Sequence, residues 1–463
     1  MDQAFPIRAD AGIDLSSPLI VGFGVVGRAL ARQLTQRGYA ATVFEDNPTT
    51  DKREAAQELG VALIECPDEI HVKQSLALAS VLLPSPGVPD AHPAIRFAKE
   101  IALPMRSEFD LARLWDERPV VAITGTNGKT SVTMMVTDAL TRSGITAAAV
   151  GNTEVPLITA IDDPEIETFV VEASSFRLGH TATFEPTVAT WLNFSPDHLD
   201  AHESLASYEA AKAHMWDDLP PGAVAVGNID DPTVERHLDR AVQGNAGVSG
   251  VSYSTRSSAD WMLDSSDEAT RLVGPDGFSL AVADIPRRRP HDLSNALAVL
   301  ATSIAAGATI EAATAAVTGF DGLPHRLQFV ARHGGVEWYN DSKATVPEAA
   351  VAAISGFNSV VLIAGGRNKG LDLSIFATCV PPIRHVVATG DAGGEIAELF
   401  RGRVPVTMAS SMAEAVASAG NAALPGDAVL LSPGCTSFDW YRNYGARGDD
   451  YMALVHQHLS QSA

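Results

Sequence analysis

The chain has 463 residues, enough for about three domains at roughly 100 to 200 residues each. Its 33 Lys and Arg stand against 56 Asp and Glu, and the net charge of -23 leaves no basic surface for a nucleic-acid backbone. With 46% hydrophobic and 19% charged residues the composition excludes disorder, and no apolar run approaches the ~20 residues that span a bilayer.

Met1 to Ser17 carries acidic residues and no continuous apolar stretch, so no secretory leader is expected. The cysteines Cys66, Cys379 and Cys435 are far apart, which fits neither a disulfide framework nor a zinc site. A reducing cytoplasm is expected, with no nucleic-acid or membrane partner.

Short β-branched runs alternate with amphipathic stretches, the pattern of parallel sheets covered by helices, so the fold class is α/β. In the first region Pro18 to Phe23, Ala40 to Phe44 and Val81 to Leu83 read as strands, with helices over Arg28 to Arg37 and Lys52 to Leu59. Gly22-Phe-Gly24-Val25-Val26-Gly27 follows the first strand, and Glu45 and Asp46 lie about 20 residues on. Taken alone this says dinucleotide: glycines let a diphosphate approach a helix N-terminus, and an acidic residue holds a ribose hydroxyl. Spacing does not choose between Glu45 and Asp46. Ser85-Pro-Gly87 suits a phosphate or sugar contact and an ordinary turn equally well. Pro104 to Pro119, with prolines at both ends and mixed charge between, reads as a linker.

A second α/β region opens with the strand Val120 to Thr124, followed by Gly125-Thr126-Asn127-Gly128-Lys129-Thr130-Ser131 at a strand-to-helix junction. This is a phosphate loop: its amides would cradle β and γ phosphates, Lys129 would neutralise them, and the Thr130 hydroxyl would ligate Mg²⁺. It departs from the strict pattern in having Ile123 where the first glycine belongs. Ile145 to Val150, Phe169 to Ala173, Val188 to Phe194 and Ala223 to Val226 are further strands. Glu172 closes a buried strand, where a carboxylate is costly without a partner, and it suits a Mg²⁺ ion. Asp197-His198 closes the next, with His198 a candidate for a second metal and a helix-capping Asp197 the plain alternative. Glu203 to Asp218 is helical in period, and on it Lys212 reads as a surface lysine at helical spacing from Glu209. Trp261 to Asp284 reads as an antiparallel excursion. After Pro324 the strands Val360 to Ala364, His385 to Thr389 and Ala428 to Leu431 form another doubly wound pattern.

The phosphate loop, Glu172 and Asp197-His198 recur with His291-Asp-Leu-Ser-Asn295, Pro324-His-Arg326 and Asn340-Asp341-Ser-Lys343-Ala-Thr345. Together they resemble the Mur ligases, ATP-dependent amide-bond ligases of peptidoglycan precursor synthesis, over nearly the whole chain. The resemblance implies a Rossmann-like domain over residues 1–114 that holds a uridine diphosphate. It implies a central P-loop-type ATPase domain over 115–323 and a C-terminal doubly wound domain over 324–463 that takes the incoming amino acid. It implies ATP, two Mg²⁺ ions and an acyl-phosphate route. With Leu431-Ser-Pro-Gly-Cys-Thr-Ser437-Phe-Asp439, it implies UDP-N-acetylmuramoyl-L-alanine and D-glutamate as substrates.

The family's residues carry over as follows. Gly24, Val25, Val26, Glu45, Asp46, Ser85 and Asn152 would contact the UDP substrate, although a hydroxyl residue often stands at Val26. Thr130 and Glu172 would hold one Mg²⁺, and His198 the other, together with Lys212 carbamylated by CO2. Asn295 would contact the adenine, Arg326 the γ-phosphate and Asp341 the ribose, while Asp292 departs from the family's paired asparagines and reads as a helix cap. Lys343, Thr345, Lys369, Ser437 and Tyr444 would grip D-glutamate, with Tyr444 and Val346 departing from the common phenylalanine and asparagine. A monomer is expected. The alternatives are a sibling ligase with another amino acid, a silent nucleotide-binding regulator, or an NAD-dependent dehydrogenase built on the first domain. The dehydrogenase would leave Gly128-Lys129-Thr130 without a purpose.

Overall fold

Apolar runs buried on both faces, such as Val120–Thr124 and Val360–Gly365, where every residue is buried, anchor three separate sheets. The computed structural model describes residues 12–461, except 154, 197–201, 203, 218, 267–268 and 369. The first sheet holds β1 (Pro18–Val21), β2 (Thr42–Glu45), β3 (Ala62–Glu65) and β4 (Val81–Pro84) in the order β3-β2-β1-β4, all parallel. The second holds β5 (Val120–Thr124), β6 (Ala147–Gly151), β7 (Thr168–Glu172), β8 (Val188–Trp191), β9 (Val224–Asn228), β10 (Ser249–Ser254), β11 (Trp261–Asp264), β12 (Arg271–Val273) and β13 (Ser279–Ala281). Its order is β13-β12-β11-β10-β9-β8-β5-β7-β6. The third holds β14 (Gln328–His333), β15 (Val336–Asn340), β16 (Val360–Gly365), β17 (Ile383–Thr389), β18 (Val406–Ala409) and β19 (Ala428–Leu431) in the order β14-β15-β19-β16-β17-β18.

The chain divides into two compact units, one ending at Phe320 with the first two sheets and the other beginning at Asp321 with the third. In the first unit one apolar core runs from Leu30 and Leu34, on the helix Val25–Gln36, through Phe109 and Trp115 to Phe169 and Trp191 of the second sheet. In the second unit Ile354, Phe376 and Ile396 belong to one core, while Trp338, Met412 and Tyr451 belong to another. Among the described residues no helix is long and apolar enough to cross a membrane.

Three local readings need correction. The segment expected to be a linker carries the helix Glu108–Trp115, started by a capping box in which Ser107 Oγ accepts from the Phe109 N–H and Asp110 accepts from the Ser107 N–H. Its Phe109, Leu111 and Trp115 are buried, so apolar spacing outweighs the flanking prolines. The strands β3, β10, β14, β15 and β18 were not anticipated. β3 and β18 lie at sheet edges and are partly exposed, and β14 and β15 form a hairpin turned at Gly334-Gly335. The helix after Asp200 is shorter than its period suggests, covering Leu205–Ala213 before a 3-10 turn at His214–Trp216. From Trp261 onward the expected antiparallel strands form, with β11 joining the sheet parallel to β10.

This topology places the chemistry. In open α/β sheets ligands sit beyond the C-terminal strand ends where the order reverses. β1 lies between β2 and β4, and β5 lies between β8 and β7. The glycine loop leaves the first and the phosphate loop leaves the second.

Candidate active site

The glycine loop leaves no room for a side chain at Gly22 or Gly27. Gly22 has φ +84°, and a Cβ on Gly27 would lie 2.0 Å from the Gly22 carbonyl oxygen. Glu45 is buried and braces this loop, accepting from the Phe23 N–H (2.8 Å), the Asn47 N–H (2.7 Å) and Lys52 Nζ (2.8 Å). Burial acts to raise its pKa, but Lys52 and the two amides hold the carboxyl below the usual range. Asp46 stands more open and reaches His92 Nε2 at 2.9 Å. Gly24 and Val25 are exposed, Val26 is buried, and Ser85 donates its hydroxyl to the Gly22 carbonyl at 2.7 Å. Beyond Ser85 the turn through Asp90 lines a cavity of about 320 Å³, closed on its other side by Ser175, Phe176, His180 and His202.

The phosphate loop leaves β5 through Gly125 (φ +157°) and Gly128 (φ +87°) and enters the helix Lys129–Arg142. Lys129 Nζ donates to the carbonyls of Gly125 (2.9 Å) and Thr126 (3.0 Å). Two of the amides expected to face phosphate are engaged elsewhere. The Thr126 N–H meets the Asn193 carbonyl at 3.1 Å and the Asn127 N–H meets Asn193 Oδ1 at 2.9 Å, because β8 ends beside β5. The anion-binding capacity of this loop therefore rests on the first turn of the helix, where Lys129, Thr130 and Ser131 stand. Asn295 packs against the loop, since a Cβ on Gly128 would come 2.6 Å from its Oδ1. With Ser131, Met135, Val317 and Phe320 it lines a recess beside the helix. Asp292 caps the helix Pro290–Ala305, accepting from the Arg289 N–H at 3.3 Å and from Arg287 Nε at 3.0 Å.

Glu172 is set beside this loop by register, as it pairs with Ile123 across β5 and β7. The residue is 3% exposed; Oε1 accepts from Asn152 Nδ2 at 2.9 Å, and Oε2 is buried with no hydrogen-bond partner among the described residues. A buried carboxylate oxygen left in that state is costly, and a hard divalent cation would relieve it. Lys212 is not the surface lysine its spacing suggests. It is 1% exposed, donates from Nζ to the Gly125 carbonyl at 2.9 Å and lies 4.7 Å from the Tyr208 ring centroid. Glu209 pairs with Arg236 (2.7 Å) and His237 (2.8 Å). His198 lies outside the described residues.

In the second unit the ends of β15, β16 and β19 carry the corresponding loops. Asp341 is buried, with the Leu327 N–H on Oδ1 (3.0 Å) and the Ser432 hydroxyl on Oδ2 (2.7 Å). It thereby holds the turn that presents the exposed Arg326, in which His325 and Leu327 both adopt positive φ. Lys343 Nζ sits 5.9 Å from the Tyr444 ring centroid, Thr345 is half-buried and Ser437 is buried. Lys369 lies outside the described residues. Arg447, not anticipated from the sequence, ties these loops together. It donates to Ser342 Oγ (2.9 Å), the Ser342 carbonyl (2.8 Å) and the Cys435 carbonyl (3.1 Å), and burial pulls its guanidinium down to about 10.

Burial pushes the Asp341 carboxyl up to about 6, although Ser432 and the Leu327 amide favour the charged form. A carboxyl with a raised folded-state pKa binds protons better folded than unfolded, so its stability contribution declines as pH rises from about 4 through about 6. Asp341→Asn does not ionise, and Ser432 can turn to accept from the new amide. Relative to wild type the variant should gain about 3 kcal/mol between pH 4 and pH 7, from 1.36 kcal/mol per pKa unit. Hydrogen-exchange protection of β15 amides in the two proteins at matched pH measures this, and a pH-independent difference would refute it.

Comparison with known proteins adds the following. The family described as Mur ligase middle domain matches residues 123–303, and the one described as Mur ligase, glutamate ligase domain, matches residues 325–435. A UDP-N-acetylmuramoylalanine--D-glutamate ligase of Desulfosudis oleivorans is 37% identical over 447 residues, 94% of this chain and 95% of that one. The protein of the same name from Frankia casuarinae is 38% identical over 445 residues, 94% and 93% of the two chains. Among solved structures, a UDP-N-acetylmuramoyl-L-alanyl-D-glutamate--2,6-diaminopimelate ligase superposes with a TM-score of 0.54 at 18% identity, covering 92% of this chain and 93% of its own. A UDP-N-acetylmuramate-alanine ligase of Thermotoga maritima does so with 0.51 at 17%, covering 96% and 100%. The structural likenesses speak for the fold.

Proposed function

This chain belongs to the Mur ligase family, and from that premise we propose that it joins D-glutamate to UDP-N-acetylmuramoyl-L-alanine, converting ATP to ADP and phosphate. The observation that carries the chemistry is Glu172, a buried carboxylate with one oxygen lacking a hydrogen-bond partner among the described residues, held by register beside a phosphate loop. The choice of amino acid rests on the D-glutamate ligases to which the chain is similar over 94% of its length.

A carboxylate is a poor electrophile because its leaving oxygen is strongly basic. The substrate carboxylate therefore attacks the γ-phosphorus, the bond to the β,γ-bridging oxygen breaks, and ADP leaves. The D-glutamate amine then adds to the acyl carbon, and the tetrahedral intermediate expels phosphate as the amine proton is lost. Lys129, Thr130 and Ser131 are proposed to hold the phosphates, with Asn295 beside the adenine. In the second unit Arg326 and Asp341 are the proposed nucleotide contacts, and Lys343, Thr345, Lys369, Ser437 and Tyr444 the proposed D-glutamate contacts. Lys343 offers a cation for a carboxylate. Glu172 and Thr130 would hold one Mg²⁺, and His198 with Lys212 a second. Bound there, the ions would neutralise charge on the phosphoryl group.

Carbamylation of Lys212 by CO2 would exchange its buried cation for an anionic oxygen suited to a metal, which is why the lysine is proposed as a carbamate. For the UDP substrate, Gly24, Val25 and Asp46 are the open groups of the glycine loop, with Val26, Glu45 and Ser85 shaping it. The cavity beside the Ser85 turn is lined on its other side by Ser175 and Phe176, which follow Glu172 closely in the chain. Asn152 stands beside that carboxylate.

The test is phosphate release with ATP, Mg²⁺ and UDP-N-acetylmuramoyl-L-alanine, comparing D-glutamate with L-glutamate, L-alanine, meso-diaminopimelate and L-lysine, with product mass measured. Release should require the UDP-sugar and D-glutamate together. Release with another amino acid would reassign the chain to a sibling ligase.

A further inference from the structure

Glu172 does not stand alone at the end of β7. Asn152 Nδ2 donates to Glu172 Oε1 at 2.9 Å, and Asn152 Oδ1 accepts from an Arg177 terminal nitrogen at 2.8 Å. Arg177 Nε in turn donates to Glu108 Oε1 at 2.7 Å, while Glu108 Oε2 accepts from the Ile158 N–H at 3.2 Å. Arg177 and Glu108 form an ion pair whose side chains are 6% and 0% exposed. Four side chains thus form one chain of bonds, from the helix Glu108–Trp115 to the carboxylate beside the phosphate loop.

The direction of every bond in this chain is forced. An amide can turn over and exchange its oxygen for its nitrogen, and by itself Asn152 has no reason to prefer either orientation. A guanidinium only donates and an ionised carboxylate only accepts. With Arg177 on one side the Asn152 oxygen must face it, so the NH2 group must face Glu172. The reversed amide would set its oxygen against the carboxylate and its N–H against a cation. Holding Oε1 in this way restricts how the carboxylate can turn and so the direction of Oε2, the oxygen left without a partner among the described residues.

We propose that Arg177 is a positioning residue for metal binding by Glu172: anchored by Glu108, it orients the Asn152 amide and, through it, the Glu172 carboxylate. This rests on reading Glu172 as a Mg²⁺ ligand. Groups that orient a metal ligand typically change metal affinity by about 10 to 100-fold when removed.

The experiment measures calorimetric binding of adenylyl imidodiphosphate to the full chain, with Mg²⁺ and in EDTA. Arg177→Met is combined with Glu108→Gln so that no charge is left buried alone. The double variant should bind the Mg²⁺ complex about 10-fold more weakly than wild type and bind equally in EDTA. Arg177→Lys, which keeps a cation between Glu108 and Asn152, should retain most of the Mg²⁺-dependent affinity. Unchanged Mg²⁺-dependent binding in the double variant overturns the proposal, as does an equal loss with and without Mg²⁺. If the double variant does not fold, Asn152→Ala breaks the same relay without touching the ion pair. It should show the same Mg²⁺-specific loss, and its absence would equally overturn the proposal. A wild-type protein whose nucleotide affinity ignores Mg²⁺ would remove the Glu172 assignment itself, an outcome distinct from failure of the relay alone.

Discussion

Lys129→Met is expected to slow D-glutamate-dependent phosphate release by about 10³-fold, the scale on which one preorganised electrostatic group acts on developing charge. The lysine opens the helix Lys129–Arg142 and its ammonium lies on the carbonyls of its own loop. Those carbonyls belong to a turn also held by Asn193, so loss of the side chain should leave the loop formed. Amides of the first helical turn remain available to anions, so ATP binding should fall far less than turnover. Steady-state kinetics, with far-ultraviolet circular dichroism to check folding, separates the two. A turnover rate within tenfold of wild type would mean that phosphoryl transfer does not depend on Lys129.

Lys212→Met is expected to lower turnover by about 10²-fold or more, as for loss of a metal-binding group, with little loss of stability. Methionine fills nearly the same volume, and the Gly125 carbonyl keeps the Lys129 ammonium as a donor. The Lys212 amine meets the Gly125 carbonyl at 2.9 Å, so its removal acts on the phosphate loop whether or not it carries CO2. CO2 dependence distinguishes the two cases. Wild type should lose activity in CO2-free buffer, regain it with bicarbonate, and show a carbamate carbon signal with ¹³C-bicarbonate that the variant lacks. Full activity without CO2, and no such signal, would assign Lys212 the role of a buried ammonium on the phosphate loop.

Both lysines were visible in the sequence, but in different ways. Lys129 is defined by its own neighbours: strand, Gly125 to Gly128 and helix are contiguous, and the anion-binding property of a helix start is local. Lys212 carried no local signal, because the same helical spacing serves a solvated Glu209 pair. Its burial follows from packing against Tyr208 and the loop after β5, which is distant in sequence. The helix Glu108–Trp115 was a missed local signal, since Ser107 and Asp110 make a capping box ahead of apolar spacing.

Neighbouring residues already specify the α/β class, the antiparallel excursion after Trp261, the glycine and phosphate loops, and the family. Each depends on periodicity or on motifs whose parts are adjacent. It took long-range packing to show that Glu45 braces its loop while Asp46 stands open, and that Asn193 takes two phosphate-loop amides. The same packing ties Ser342 to Cys435 through Arg447, and brings Arg177 from Glu108 to Asn152. These pairings depend on which strand ends lie side by side. Strand order and register set that through contacts between residues far apart in the chain, and hydrophobic periodicity carries no record of it.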